Sequence, residues 1–147
     1  MFQINNFDNS SNAISFNGVK KQEGVNLSRN EVMKNLVGDA NDIFVEEIKQ
    51  YVPENGKFRP VTFECNIPGT QNIFFYKVEY DSKNHQTGRR FSVNVRHQNS
   101  DRLLSTYITK GTKAEIMEFL KDKNNHEKII ETMQKLSDST DDYYNSL

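Results

Sequence analysis

Between Lys57 and Lys110, four consecutive runs alternate mostly apolar with mostly polar side chains, and each of the first three is followed by turn-forming residues. A period of two sends alternate side chains to opposite faces of a strand, so each run predicts a half-buried β-strand. In Lys57–Ile67 the apolar set is Val61, Phe63, Cys65 and Ile67, with Thr62, Glu64 and Asn66 on the reverse. Asn72–Tyr80 offers Phe74, Tyr76, Val78 and Tyr80. Arg89–His97 offers Phe91, Val93 and Val95, and Arg102–Lys110 offers Leu104, Thr106 and Ile108. Pro68-Gly69 predicts a type II turn, since proline presets φ and glycine accepts the positive φ of the next position. Short connections favour antiparallel neighbours, so the expected order is a 1-2-3-4 meander. With every apolar set on one side, Phe63, Tyr76, Val95 and Leu104 fall in one cross-strand row. Glu64, Phe75, Arg96 and Leu103 then share a row on the other face. The second loop, Asp81–Gly88, also admits a pairing with two more loop residues.

Helical periodicity flanks the sheet. Ser28 and Glu31 fit a capping box, with Leu27 and Val32 as its staple, and an apolar stripe then runs from Val32 to Val52 at three-and-four spacing. Pro53 ends that helix. After the last strand, Thr112 with Glu115 and Asn124 with Glu127 repeat the cap pattern, predicting a break near Lys123 and a final helix ending at Leu136. The expected fold is α+β and two-layered: a helix, a four-stranded antiparallel meander and two short helices, with the helices on one sheet face. The domain is expected over 27–137. Residues 1–26, rich in Asn, Ser and Gln, are expected to form a flexible tail, with Ala13–Phe16 suited to an extra edge strand. Residues 138–147 are expected to form an acidic C-terminal tail, with Tyr143 and Tyr144 able to fold back.

Chain length allows one domain with a real core, and a net charge of −1 carries no whole-molecule signature of nucleic-acid or membrane binding. A single cysteine excludes an internal disulfide and suits a reducing compartment, so a cytoplasmic protein is expected. Cys65 has buried parity, where a thiol behaves as a small hydrophobe, and His97 in a neighbouring row lacks a third orienting group. The three histidines, His85, His97 and His126, have no metal-ligand spacing. Carboxylate pairs such as Glu46-Glu47 and Asp141-Asp142 fall on helix exteriors or the tail, and no glycine-rich phosphate loop opens a helix. Neither a catalytic centre, a metal nor a cofactor is expected.

The charge pattern has more content than its total. Lys83–Lys113 carries seven basic residues against Asp101, whereas Ala114–Leu147 carries four lysines against eight acids. Outward parity on the open sheet face collects Phe75, Lys77, Arg90, Arg96 and Tyr107 as candidate binding residues. Arginine beside aromatic rings suits a protein interface, and equally phosphate contact with base stacking. The expected role is a non-enzymatic interaction module (an adaptor, inhibitor or chaperone-like protein), with nucleic-acid binding by the same basic surface as the alternative. The helix–sheet–helix order resembles double-stranded-RNA-binding domains in outline alone. It has four strands where that fold has three, and Lys110–Phe119 lacks that family's lysine pair and alanine-rich run. No membrane partner is expected. The fourth strand is the edge open to homodimer pairing, since Pro60 and flanking charges guard the first.

Overall fold

The computed structural model describes residues 29–84 and 86–147. The expected tail over 1–26, the Leu27 staple, the Ser28 cap and His85 lie outside the described residues. Helix α1 (Arg29–Tyr51) leads to strands β1 (Val61–Asn66), β2 (Asn72–Tyr80), β3 (Arg89–His97) and β4 (Leu103–Gly111). Helices α2 (Lys113–Lys121) and α3 (His126–Asn145) close the chain, separated by a 3₁₀ turn at Lys123–Asn125. The strands pair in the order β1-β2-β3-β4, all antiparallel, as the alternating runs predict.

One sheet face is covered. Met33, Leu36, Val37, Ala40, Phe44, Val45 and Ile48 of α1 are buried with Phe63, Cys65, Phe74, Tyr76, Val78, Phe91, Val93 and Val95 of the sheet. Ile116 and Leu120 of α2 and Ile129, Ile130 and Met133 of α3 complete that core. Phe44 packs at 5.4 Å from Tyr76 and 6.1 Å from Phe91, and Phe91 lies 6.3 Å from Phe119, so one aromatic cluster ties α1, the sheet and α2 together. Such ring pairs contribute about 0.5–1.5 kcal/mol each beyond area burial. One polar group enters this stripe: Asn41 accepts a hydrogen bond from the Tyr76 hydroxyl and donates to the Leu120 carbonyl at 3.2 Å. It thereby satisfies buried groups from β2 and α2 at once.

The turns follow local chemistry. Gly69 has φ 78°, and the Thr70 N–H closes on the Ile67 carbonyl at 3.2 Å, as a Pro-Gly type II turn requires. Thr112 and Glu115 form the expected capping box, the Glu115 N–H reaching Thr112 Oγ1 at 3.2 Å and the Thr112 N–H reaching Glu115 Oε1 at 2.9 Å. At α3 the cap differs from expectation. Asp122, rather than Asn124, accepts a backbone N–H, from Asn124 at 2.9 Å, and Asn125 occupies the N-cap without a side-chain bond.

Three further departures matter. Tyr76 pairs with Val93, not Val95, so the β2–β3 register is the alternative with two more loop residues. The Asp81 N–H bonds the Gly88 carbonyl at 2.9 Å and Asp81 Oδ1 accepts from Lys83, which holds the longer loop closed. A two-residue shift keeps the faces and moves only the neighbours. Secondly, β4 bulges opposite Phe91/Ser92: Tyr107 pairs with Ser92 and Thr109 with Phe91, leaving Ile108 as the extra, buried residue. Thirdly, α3 does not stop at Leu136 but continues to Asn145, through residues expected to form an acidic tail. Its last turns are held by polar contacts: Asn72 Nδ2 donates to Ser137 Oγ at 2.8 Å and Asp141 Oδ1 at 2.9 Å. Tyr144 stacks on His97 at 4.4 Å, and the Arg102 guanidinium lies 3.9 Å over the Tyr143 ring.

Candidate binding surface on the open sheet face

The face turned away from the helices is built from the reverse parity of the same four strands. Rows read from the register are Glu64–Phe75–Asn94–Ser105, Thr62–Lys77–Ser92–Tyr107 and Glu79–Arg90–Lys110. Arg96 stands in a separate row between Ile73 and Leu103. Phe75, Lys77, Arg90 and Arg96 are half-buried in this face, and Tyr107 is 57% exposed. Ser92 and Asn94 are buried, their short side chains flanked in register by Lys77, Phe75 and Tyr107.

The five candidates separate into two groups. Lys77, Arg90 and Tyr107 occupy adjoining rows, and the Arg90 guanidinium lies over the Tyr107 ring, 4.4 Å from its centroid. Stacking of this kind holds both groups in one orientation without concealing the charge. Arg90 also faces Glu79, with a 3.7 Å separation that makes a loose ion pair, and its Nε is buried without a hydrogen-bond partner. Lys77 has no ion-pair partner among the described residues. Arg96 is tied elsewhere. Its Nη1 donates to the carbonyls of His97 and Gln98 at 3.3 and 3.4 Å, and its Nη2 lies 4.0 Å from Glu64 across the sheet. Phe75 shares a row with Asn94 instead of Arg96, because of the two-residue register shift, and Asn94 Nδ2 donates to the Phe75 carbonyl at 3.2 Å.

Lys110 is the residue that parity counting misses. An unbroken alternation through Leu104, Thr106 and Ile108 sends it toward the helices, whereas the bulge reverses the count and sets it directly opposite Arg90. Two like charges in adjacent strand positions are unfavourable, and an anion between them offsets the repulsion. A bulge within an alternating strand leaves no mark in the sequence here, since Ile108 remains buried in either arrangement.

Groups elsewhere are engaged structurally. Cys65 is 5% exposed, burial pushes its thiol far above the usual range, and its Sγ–H points to the Asn66 carbonyl. A thiol held protonated in this way is a poor nucleophile. His97 lies against Gln71 Oε1 at 3.2 Å and accepts the Asn99 N–H on Nδ1, with Tyr144 across its ring. Glu46 pairs with Lys49, burial raises the Glu47 carboxyl above its ordinary value, and Asp141 holds Asn72. Arg89 is wholly buried and donates to the carbonyls of Pro53, Gln86 and Gly88, with Phe58 beneath it at 4.9 Å. Burial lowers its pKa, and its donors staple the loop after α1 to the β2–β3 loop. Among the described residues no three His, Cys, Asp or Glu side chains gather as metal ligands, and no helix is long and apolar enough to cross a membrane.

No family model, curated protein or solved structure matches this chain.

Proposed function

We propose that the chain is a non-enzymatic interaction module (an adaptor, inhibitor or chaperone-like protein) whose partner is another protein seated on the open sheet face. The observation that carries this reading is the Arg90–Tyr107 stack, flanked by Lys77 and Lys110 on a face that none of the described helices covers. Arginine and tyrosine fixed against each other supply area and charge with little ordering cost, as anchor residues of protein interfaces do. Glu64 and Glu79 lie among the same cations, which favours the discrete carboxylates of a protein over a continuous polyphosphate backbone. The single buried cysteine supports a reducing, cytoplasmic setting for the encounter.

A photo-reactive phenylalanine analogue in place of Tyr107 tests the reading in extracts of the source cells. The expected result is one dominant protein adduct, lost in Arg90→Glu and not formed when the probe replaces Glu131 on α3. Adducts carrying RNA or DNA would transfer the surface to the nucleic-acid reading. Equal labelling from both positions would remove it as an interface.

A further inference from the structure

The partner's shape follows from the edge on which this surface ends. Among the described residues β4 has β3 as its one neighbour in the sheet, so its outer side carries N–H and C=O groups with no described strand partner. Leu103, Ser105, Thr106 and Tyr107 are exposed, and these residues span both faces of the strand, so neither face blocks approach along this edge. The other edge, β1, is six residues long and follows directly on Pro60, which has no N–H to offer. The bulge at Ile108 bends β4, so the straight stretch available for pairing is Leu103–Tyr107, roughly 17 Å at strand rise. Its far end is where the charges concentrate. Arg90 and Lys110 are direct cross-strand neighbours, and the Arg90 guanidinium lies over the Tyr107 ring. Its one ion-pair contact among the described residues is the loose 3.7 Å approach to Glu79 on β2.

Resting on the reading above, we infer that the partner docks by strand addition: an extended acidic segment pairs with Leu103–Tyr107 as a fifth strand. One of its carboxylates sits beside Tyr107, between Arg90 and Lys110. Backbone hydrogen bonds along the edge supply register-independent attraction, and the carboxylate sets the register by relieving the like-charge pair. Alternate residues of the incoming segment then lie over Leu103 and Tyr107, two of the large exposed apolar side chains of the molecule.

Hydrogen–deuterium exchange of the full chain tests this with two capped seven-residue peptides of the same composition. One alternates glutamate and valine, and the other groups them in blocks. At a peptide concentration about ten times its Kd, the alternating peptide is expected to slow the Leu103–Tyr107 amides by about ten-fold. The block peptide is expected to leave them unchanged, and Lys110→Glu to abolish the effect while β2 amides keep their native protection. Equal protection by both peptides, protection at Val61–Asn66 instead, or no protection overturns strand addition. So does protection of the same amides on raising the protein's own concentration, which assigns the edge to a second copy. None of these results bears on cross-linking at Tyr107, so failure here leaves the open-face reading to its own test.

Discussion

Tyr76 shows how much a single side chain can settle. Its ring belongs to the aromatic cluster, while its hydroxyl donates a hydrogen bond to Asn41 Oδ1, and the Asn41 amide donates in turn to the Leu120 carbonyl. Burial pushes the phenol well above its ordinary value of 10. Above that value the unfolded chain loses the proton while the folded one keeps it, so stability falls as pH climbs past 10. Tyr76→Phe is expected to cost about 1–3 kcal/mol at neutral pH, because Asn41 Oδ1 is left buried without a donor. The variant should also lose less stability than the parent on passing to alkaline pH. Urea melts of both proteins on either side of pH 10 check the two statements together. A parallel decline in both would detach the effect from this hydroxyl. The sequence assigns Tyr76 to the buried face by parity, but Asn41 reads as polar at an apolar position until its two partners are placed.

At the scale of elements, α1 and α3 differ in how their faces can be read. The α1 stripe is apolar, so its spacing alone identifies the buried side. Gly38 is a weak point in it: a Cβ there would meet His126 Cε1 at 3.9 Å, an ordinary contact. Gly38→Ala is therefore expected to stabilise by about 0.5–1 kcal/mol, through the lower backbone entropy of the unfolded chain. A lower denaturation midpoint for that variant would mean that α1 and α3 pack more tightly than this distance allows. The C-terminal half of α3 docks through Ser137, Thr140, Asp141 and Tyr144, spaced at three and four but polar. Hydropathy periodicity cannot register such a stripe, which is why the helix outruns the end expected at Leu136. The β2–β3 register is invisible for a related reason. A shift of two residues preserves every face, and Asp81 chooses between the two pairings through bonds to Gly88 and Lys83.

For the whole molecule, the layers divide the charge. Residues 57–111, the strands and their turns, hold nine basic against four acidic side chains, whereas 29–51 and 112–147 hold eight against thirteen. Because α1, α2 and α3 lie on one sheet face, this sequence asymmetry becomes a spatial one, and a net charge of −1 conceals described layers that are basic on one side and acidic on the other. At neutral pH and low salt the protein should be retained by both cation and anion exchangers. Lys77→Glu with Arg90→Glu should weaken retention on the cation exchanger while retention on the anion exchanger does not fall. Equal effects on both would show that the charges act as an undivided total. Local chemistry was sufficient to specify the strands, their faces, the Pro-Gly turn and the Thr112 cap, because each depends on neighbours within a few residues in the chain. Lys110 beside Arg90, Arg96 turned back to its own backbone and a polar helix end docked on Asn72 depend on contacts between distant segments. Those contacts are settled by the bulge, the register and the packing of layers, which exist only once the sheet has closed.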